Sequence, residues 1–93
     1  MAEQYSLYIL ECADGSLYTG IARDVSARLE QHSRGPRGAK YLRGRGPLKL
    51  VFSAAVGDRS LAQRCEYRVK RLRRSRKLAL IEGAARLDEL LGN

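Results

Sequence analysis

The sequence predicts an α+β fold in which a small three-stranded antiparallel sheet is flanked by helices. Two runs rich in aromatic and β-branched residues, at 5–11 and 17–22, flank the turn-forming segment ADGS. A third apolar run covers residues 48–56, and apolar residues at helical spacing follow the second and third runs. A chain of 93 residues has room for one hydrophobic core, so we expect one domain over residues 1–93.

The first two strands are expected to form a β-hairpin, whose turn decides which side chains share a face. A two-residue loop would place Tyr8 and Tyr18 on opposite faces of the sheet. A three-residue loop over 13–15 places Gly15 in the left-handed conformation that such a turn requires, and pairs Tyr8 with Gly20. We choose this second register, which sets the two tyrosines on one face, roughly 7–8 Å apart at the backbone. It also predicts open space beside Gly20.

The helix expected after the second strand begins at a capping residue. Asp24 has a side chain typical of an N-cap, and the helix should continue to about Ser33. Arg28 and His32 are four residues apart, so both lie on one stripe of this helix.

Two more helices are expected after the third strand. Ser60 and Gln63 form a capping box for a helix that continues to about Arg74. Ser75 can cap a further helix that ends near Gly83. The positions of the longer helix expected to face inward are Leu61, Cys65, either Arg68 or Val69, and Leu72.

Positive charge is concentrated in the middle of the chain. Residues 33–49 contain four glycines, two prolines, six basic residues and no acid, which predicts a loop with a short helical turn at 39–43. Over residues 31–77, fifteen basic side chains stand against only Asp58 and Glu66, while the whole chain has a net charge of +8. This concentration favours nucleic acid over a membrane as the partner, because no basic segment with a broad apolar face accompanies it. The alternative is a surface whose charge only maintains solubility.

The cysteines and the first residues indicate the cellular compartment. Cys12 and Cys65 occur singly within apolar patterns, so we expect two core thiols rather than a zinc site or a disulfide framework. The first ten residues have neither a basic segment nor a long apolar run, which argues against a signal peptide or membrane anchor. We therefore expect a cytoplasmic protein.

Five residues occur in an order and at spacings that resemble the GIY-YIG nuclease superfamily. They are Tyr8 in SLY, Tyr18 in YTG, Arg28 and His32 on the first predicted helix, and Glu66 on the second. The similarity runs from about residue 5 to residue 81 and extends to the small stand-alone bacterial members of the superfamily. It implies a metal-dependent nuclease, such as a DNA endonuclease or structure-directed nuclease in DNA repair or processing, with DNA favoured over RNA.

The resemblance also implies a role for each of these residues. Glu66 would be the protein ligand of one divalent ion, magnesium or manganese. Arg28 would contact the scissile phosphate, and His32 would assist. Tyr8 and Tyr18 would line the water or metal side of the site.

The chain departs from the family pattern at three positions. Ser6 and Leu7 replace the glycine and isoleucine of the first motif, and Thr19 replaces the isoleucine of the second. Tyr8 and Gly20 remain, so these changes weaken the motif more than the chemistry. No second protein ligand for the metal is apparent, so water and phosphate oxygens would complete its shell, as is normal for magnesium.

The residue types suit phosphodiester hydrolysis on chemical grounds, although each also has a structural alternative. Glu66 has basic neighbours that should keep it ionised and able to hold a hard cation, and its alternative is a solvated acid paired with Lys70. Arg28 has a planar fork that fits two phosphate oxygens, and its alternative is an ion pair with Asp24.

The tyrosines and the histidine are candidates for handling protons. Tyr18 could take a proton from water if a metal and Arg28 lowered its pKa from roughly 10, whereas a strand tyrosine is otherwise a core or rim residue. Tyr8 has the same alternative. We rank His32 below Tyr18 as the base, because a lone histidine near a helix end is often a hydrogen-bonded cap.

The basic loop and the cluster at 70–77 are expected to bind the sugar-phosphate backbone independently of sequence. The residues expected to contact nucleic acid are Arg34, Arg37, Lys40, Arg43, Arg45, Lys70, Arg73 and Arg74. Tyr41 is the only aromatic residue of the loop, so a stacking platform for single strands is poorly supported. We expect low intrinsic specificity or a recruiting protein, and the oligomeric state is left open.

Two other functions remain open from the sequence. One is a nucleic-acid-binding module without cleavage, which would tolerate Glu66→Gln because a pure binder gains nothing from an acid in a basic helix. The other is a ribosome-associated structural protein, suggested by small size and basic charge; it would co-sediment with ribosomes.

Overall fold

The computed structural model describes residues 3–34, 42 and 46–87, and within them it contains three strands and three helices. In chain order these elements are β1 (Tyr5–Glu11), β2 (Leu17–Ala22), α1 (Val25–Arg34), β3 (Lys49–Gly57), α2 (Arg59–Lys70) and α3 (Arg74–Ile81). The strands form one antiparallel sheet in the order β2-β1-β3. The predicted α+β fold and three-stranded sheet are therefore confirmed.

The hairpin between β1 and β2 has the three-residue loop predicted from the sequence. Gly15 has φ +86°, a left-handed conformation that glycine adopts without steric cost. Its N–H donates to the carbonyl of Cys12, and the N–H of Cys12 donates to the carbonyl of Ser16, both at 2.9 Å. The resulting register pairs Tyr8 with Gly20, as expected.

The space beside Gly20 is occupied, so the expectation of an open space there is wrong. A Cβ atom at this position would lie 2.5 Å from the Tyr8 hydroxyl oxygen and 2.6 Å from Tyr8 Cζ. Gly20 is therefore required because the ring of Tyr8 crosses the backbone of β2, and a larger side chain would displace it.

The cap of α1 agrees with the sequence, whereas the cap of α2 does not. Asp24 Oδ1 accepts a hydrogen bond from the N–H of Ala27 at 3.0 Å. For α2 the N-cap is Asp58 rather than Ser60, and its Oδ1 accepts from the N–H of Leu61 at 2.9 Å. An aspartate directly after the strand caps the helix two residues earlier than the predicted capping box would.

The C-terminal helices are shorter and more separate than predicted. The segment assigned to one helix up to Arg74 is divided, since α2 ends at Lys70 and α3 begins at Arg74. Arg73 is the N-cap of α3 without a side-chain hydrogen bond, so Ser75 lies within the helix instead of capping it. Gly83, with φ +77°, follows the end of α3 as predicted.

Side chains are buried on both faces of the sheet. One face, here called the α1 face, buries Tyr8 and Leu10 of β1 together with Cys12, Ala22 and Leu42, and α1 packs beside it. The other, here called the α2/α3 face, buries Leu7 and Ile9 against Val69 of α2 and Leu80 of α3. The two cysteines are free, as expected.

The inward stripe of α2 differs in part from the prediction. Ala62 and Val69 are its buried residues, so Val69 rather than Arg68 faces the core. Leu61, expected to face inward, is 41% exposed. Cys65 and Leu72 are half-buried against the α2/α3 face. Among the described residues, no helix is long and apolar enough to cross a membrane.

Candidate active site

Three ring-bearing residues of the α1 face meet at the junction of the hairpin and α1. The Tyr8 hydroxyl and His32 Nε2 share a buried hydrogen bond of 2.8 Å. The ring of Tyr18 lies edge-on to that of His32, with centroids 5.5 Å apart, and 6.5 Å from the ring of Tyr8. The hairpin register and the position of His32 on α1 therefore bring together three residues that are distant in sequence.

Burial decides the protonation of this cluster. Burial, with a smaller contribution from the nearby Tyr18, raises the pKa of Tyr8 to about 12 against a lowering effect of Arg28. Burial also raises the pKa of Tyr18 above 10, against a lowering effect of Arg28. The pKa of His32 is lowered from 6.5 by burial and by the charge of Arg28. At neutral pH both tyrosines thus keep their protons and His32 is a neutral imidazole.

Arg28 places a positive charge beside the cluster. It projects from α1, one helical turn before His32, and is half-buried. The guanidinium donates to Gln31 Oε1 at 2.8 Å and hydrogen bonds to Tyr8. Its guanidinium therefore lies beside the Tyr8 hydroxyl, at the edge of the cluster.

Glu66 is the acid of the site and projects from α2. Its side chain is 24% exposed, and Oε2 lies 3.5 Å from Lys70 Nζ. Its charge raises the pKa of both Tyr8 and Tyr18, so the carboxylate lies within electrostatic reach of the cluster. In the described part of the chain, no group of three or more His, Cys, Asp or Glu residues could hold a metal ion. Glu66 thus belongs to no such group among the described residues.

The predicted nucleic-acid contacts fall partly within the structure. Arg73 is exposed, and Lys70 is about half exposed beside Glu66. Arg74 donates to the carbonyl oxygen of Gly15 at 2.8 Å, so its guanidinium joins α3 to the hairpin turn. Outside the described residues lie Arg37, Lys40, Arg43, Arg45, the side chain of Arg34 and most of the predicted turn at 39–43.

Two features of the surface near Glu66 were missed from the sequence. Lys70 and Lys77, the two ends of the basic cluster predicted at 70–77, line a common cavity, and the break between α2 and α3 conceals this cavity in the sequence. On the outer face of α2, Tyr67 is 62% exposed. Arg71 lies over its ring at 5.3 Å and donates to its hydroxyl at 3.0 Å. The i,i+4 spacing of these two residues was the signal that could have revealed the pair.

Comparison with known proteins identifies the class to which this fold and site belong. The model of the GIY-YIG catalytic domain family matches residues 4–79, so the chain belongs to the GIY-YIG family. This is a superfamily of nucleases, whose substrates are nucleic acids. The resemblance inferred from five residues is therefore confirmed.

Within this family, the chain is similar to small bacterial proteins of the UPF0213 group. It is 55% identical over 87 residues to the UPF0213 protein YhbQ of Escherichia coli K12, covering 94% of this chain and 86% of that protein. It is 53% identical over 85 residues to a UPF0213 protein of Vibrio cholerae, covering 90% and 83% respectively. The solution NMR structure of the UPF0213 protein BH0048 from Bacillus halodurans superposes with a TM-score of 0.55 at 44% identity, covering 96% of this chain and 94% of that one.

Proposed function

We propose that this protein is a metal-dependent nuclease that hydrolyses phosphodiester bonds of DNA. The observation that carries the proposal is the convergence of Tyr8, Tyr18, His32 and Arg28 within electrostatic reach of Glu66. Cleavage requires a positioned water, a proton acceptor and charge neutralisation at the phosphate, and each requirement has a candidate here.

The donor set fits one magnesium or manganese ion. Glu66 offers a partly exposed carboxylate, and magnesium is commonly held by one or two carboxylates with water and phosphate oxygens completing its shell. When bound, such an ion polarises the phosphate and lowers the pKa of coordinated water. Lys70 lies 3.5 Å from the carboxylate and would have to move away from it.

Arg28 is assigned the binding of the scissile phosphate. Its fork matches two phosphate oxygens, and the bond to Gln31 Oε1 is one that a charged acceptor can replace. Because the attacking water adds negative charge to the phosphate oxygens, this contact strengthens toward the transition state.

The pKa directions favour His32 over Tyr18 as the proton acceptor, which reverses the ranking made from the sequence. His32 is a neutral imidazole near pH 7 because its pKa is lowered, whereas the raised pKa of Tyr18 keeps its proton in place. Tyr8, only 1% exposed, holds the imidazole through the 2.8 Å hydrogen bond and is a positioning residue. Tyr18 is more open and would orient the water by its hydroxyl.

The test is cleavage of labelled duplex, nicked, branched and single-stranded DNA by the purified protein with magnesium or manganese. Glu66→Gln and Arg28→Ala should retain the fold and lower the rate about 100-fold or more, since each removes charge stabilisation at the transition state. Arg28→Lys keeps the charge but loses the fork, and should stay impaired. Undiminished cleavage by Glu66→Gln would overturn the assignment.

A nucleic-acid-binding module without cleavage is the second candidate. The observation in its favour is the Lys70 ion pair, which is what a purely structural Glu66 would form. If the protein only binds nucleic acid, Glu66→Gln should bind the same oligonucleotides as tightly as wild type or more tightly. Neither protein should cleave them.

A further inference from the structure

A small cavity opens beside the candidate site, between the edge strand β2, the end of α2 and the first turn of α3. Its volume is about 300 Å³, and it is lined by Leu17, Tyr18, Thr19, Lys70 and Lys77. Two lysine side chains from different helices thus line it, and no acid is among the described residues that do. This volume lies at the lower end of ligand pockets, so a small anionic group suits the cavity better than a nucleobase.

Lys70 links this cavity to Glu66. Its ammonium lies 3.5 Å from Glu66 Oε2 while the same side chain lines the cavity. Lys70 is the last residue of α2, and its side chain is 51% exposed, so it is free to rotate between the two sides. A compact ammonium on a flexible four-carbon stem can exchange one oxygen partner for another, which a rigid guanidinium fork does less readily.

We propose that the cavity binds a phosphate group of the substrate strand and that Lys70 couples this event to the binding of the divalent ion. In the free protein Lys70 neutralises Glu66 and competes with a cation for the carboxylate. A phosphate in the cavity, held by Lys70 and Lys77, draws the ammonium away and leaves the carboxylate open to the ion. The proposal rests on the assignment of Glu66 as metal ligand in the proposed function.

This exchange makes the two ligands mutually reinforcing. If a phosphodiester tightens metal binding by some factor, the metal must tighten phosphodiester binding by the same factor. The protein would then hold the ion weakly until a strand is present. Because the Lys70 ion pair is half exposed, its removal should tighten metal binding only about two- to five-fold.

The experiment measures free Mn²⁺ by electron paramagnetic resonance during titration of four proteins: wild type, Lys70→Met, Lys77→Met and Glu66→Gln. Each titration is run with dimethyl phosphate, the simplest phosphodiester, and with sodium chloride at equal ionic strength. Lys77→Met is the matched control, because Lys77 lines the cavity and has no described contact with Glu66. Far-ultraviolet circular dichroism and thermal unfolding verify that each variant is folded.

In chloride, Lys70→Met should bind Mn²⁺ about two- to five-fold more tightly than wild type, while Lys77→Met should match wild type. Dimethyl phosphate should tighten Mn²⁺ binding in wild type, less so in Lys77→Met, and not at all in Lys70→Met. The proposal is overturned if Lys70→Met binds Mn²⁺ no more tightly than wild type. It is also overturned if dimethyl phosphate tightens Mn²⁺ binding equally in Lys70→Met and in wild type.

Glu66→Gln separates this proposal from the proposed function. If Glu66→Gln loses Mn²⁺ binding while Lys70→Met binds Mn²⁺ as wild type does, with and without dimethyl phosphate, the coupling is overturned. The assignment of Glu66 as metal ligand is then retained. Wild-type Mn²⁺ binding by Glu66→Gln would overturn both.

Discussion

On the α1 face of the sheet Tyr8 is buried with His32 as its hydrogen-bond partner, whereas on the α2/α3 face Leu7 and Ile9 are buried against aliphatic side chains. The α2/α3 face also contains Thr19, which pairs with Ile9 in the register. Its buried Oγ1 has no hydrogen-bond partner within the described structure. The buried hydroxyl of Tyr8 is thus hydrogen-bonded, whereas the buried hydroxyl of Thr19 on the opposite face is not. We expect substitutions on the α2/α3 face to change mainly stability and substitutions on the α1 face to change the geometry around His32 as well.

The largest effect on stability is expected from Leu80→Ala on the α2/α3 face. Leu80 is 3% exposed, and its truncation leaves a cavity between α3 and the sheet. The free energy of unfolding should fall by about 2–5 kcal/mol, measured by urea denaturation. The pH dependence of His32 should remain that of wild type, and a changed dependence would show that the faces are not independent.

Gly20→Ala should disturb both stability and the site. A Cβ atom there would lie 2.5 Å from the Tyr8 hydroxyl, and the ring is too tightly packed to move freely. We expect a loss of about 1–3 kcal/mol in unfolding free energy and a loss of cleavage activity, as Tyr8 withdraws from His32. Tyr8→Leu removes both clashing atoms, the hydroxyl oxygen and Cζ, so adding Gly20→Ala to Tyr8→Leu should cost less stability than adding it to wild type. An equal cost in the two backgrounds would contradict the clash.

Acidification should weaken the fold through His32. Its pKa is lowered in the folded protein, so the unfolded chain binds a proton more readily once the pH falls below 6.5. The free energy of unfolding should therefore be greatest above pH 6.5, fall as the pH drops through that value, and level off below the folded-state pKa. Each unit between the two pKa values is worth about 1.4 kcal/mol.

The measurement is urea denaturation at closely spaced pH values from 7.5 to 5. His32 is the only histidine of the chain, so His32→Gln should remove most of the slope near pH 6.5. An equal slope in this variant would assign the effect to other groups.

The smallest effect, and one of opposite sign, is expected from Thr19→Val. The substitution replaces a buried hydroxyl that lacks a partner by a methyl group of similar shape. Stability should rise by about 1 kcal/mol in thermal or urea unfolding. Thr19→Ser keeps the hydroxyl and loses the methyl, so it should be less stable than wild type. Destabilisation by Thr19→Val would indicate a hydroxyl partner, such as an ordered water.

Local patterns predicted the hairpin and the first helix well. The turn chemistry of Gly15 determines a register, and that register places Tyr8 beside Tyr18 without knowledge of the rest of the fold. Asp24 likewise sets the start of α1, and hence the stripe with Arg28 and His32. The five residues of the candidate site could be chosen from the sequence because a resemblance added Glu66, which no local pattern connects to the hairpin.

Competing capping residues and contacts between distant parts of the chain explain the features that the sequence did not predict. Asp58 and Ser60 both suit an N-cap, and only the end of β3 decides between them. The open space predicted at Gly20 is filled by a ring from the neighbouring strand. The raised pKa of Tyr18 follows from burial, which the sequence does not quantify.

The hydrogen bond from Arg74 to the carbonyl of Gly15 joins residues 59 positions apart. A hairpin turn is ordinarily among the first parts of a protein to open, and its amides exchange with solvent quickly. Here the side chain of Arg74 ties the turn to α3, so the amide of Gly15 should exchange more slowly in wild type than in Arg74→Ala. A phosphate that captured Arg74 would release the turn, and accelerated exchange at the hairpin tip would then report where a nucleic-acid strand lies.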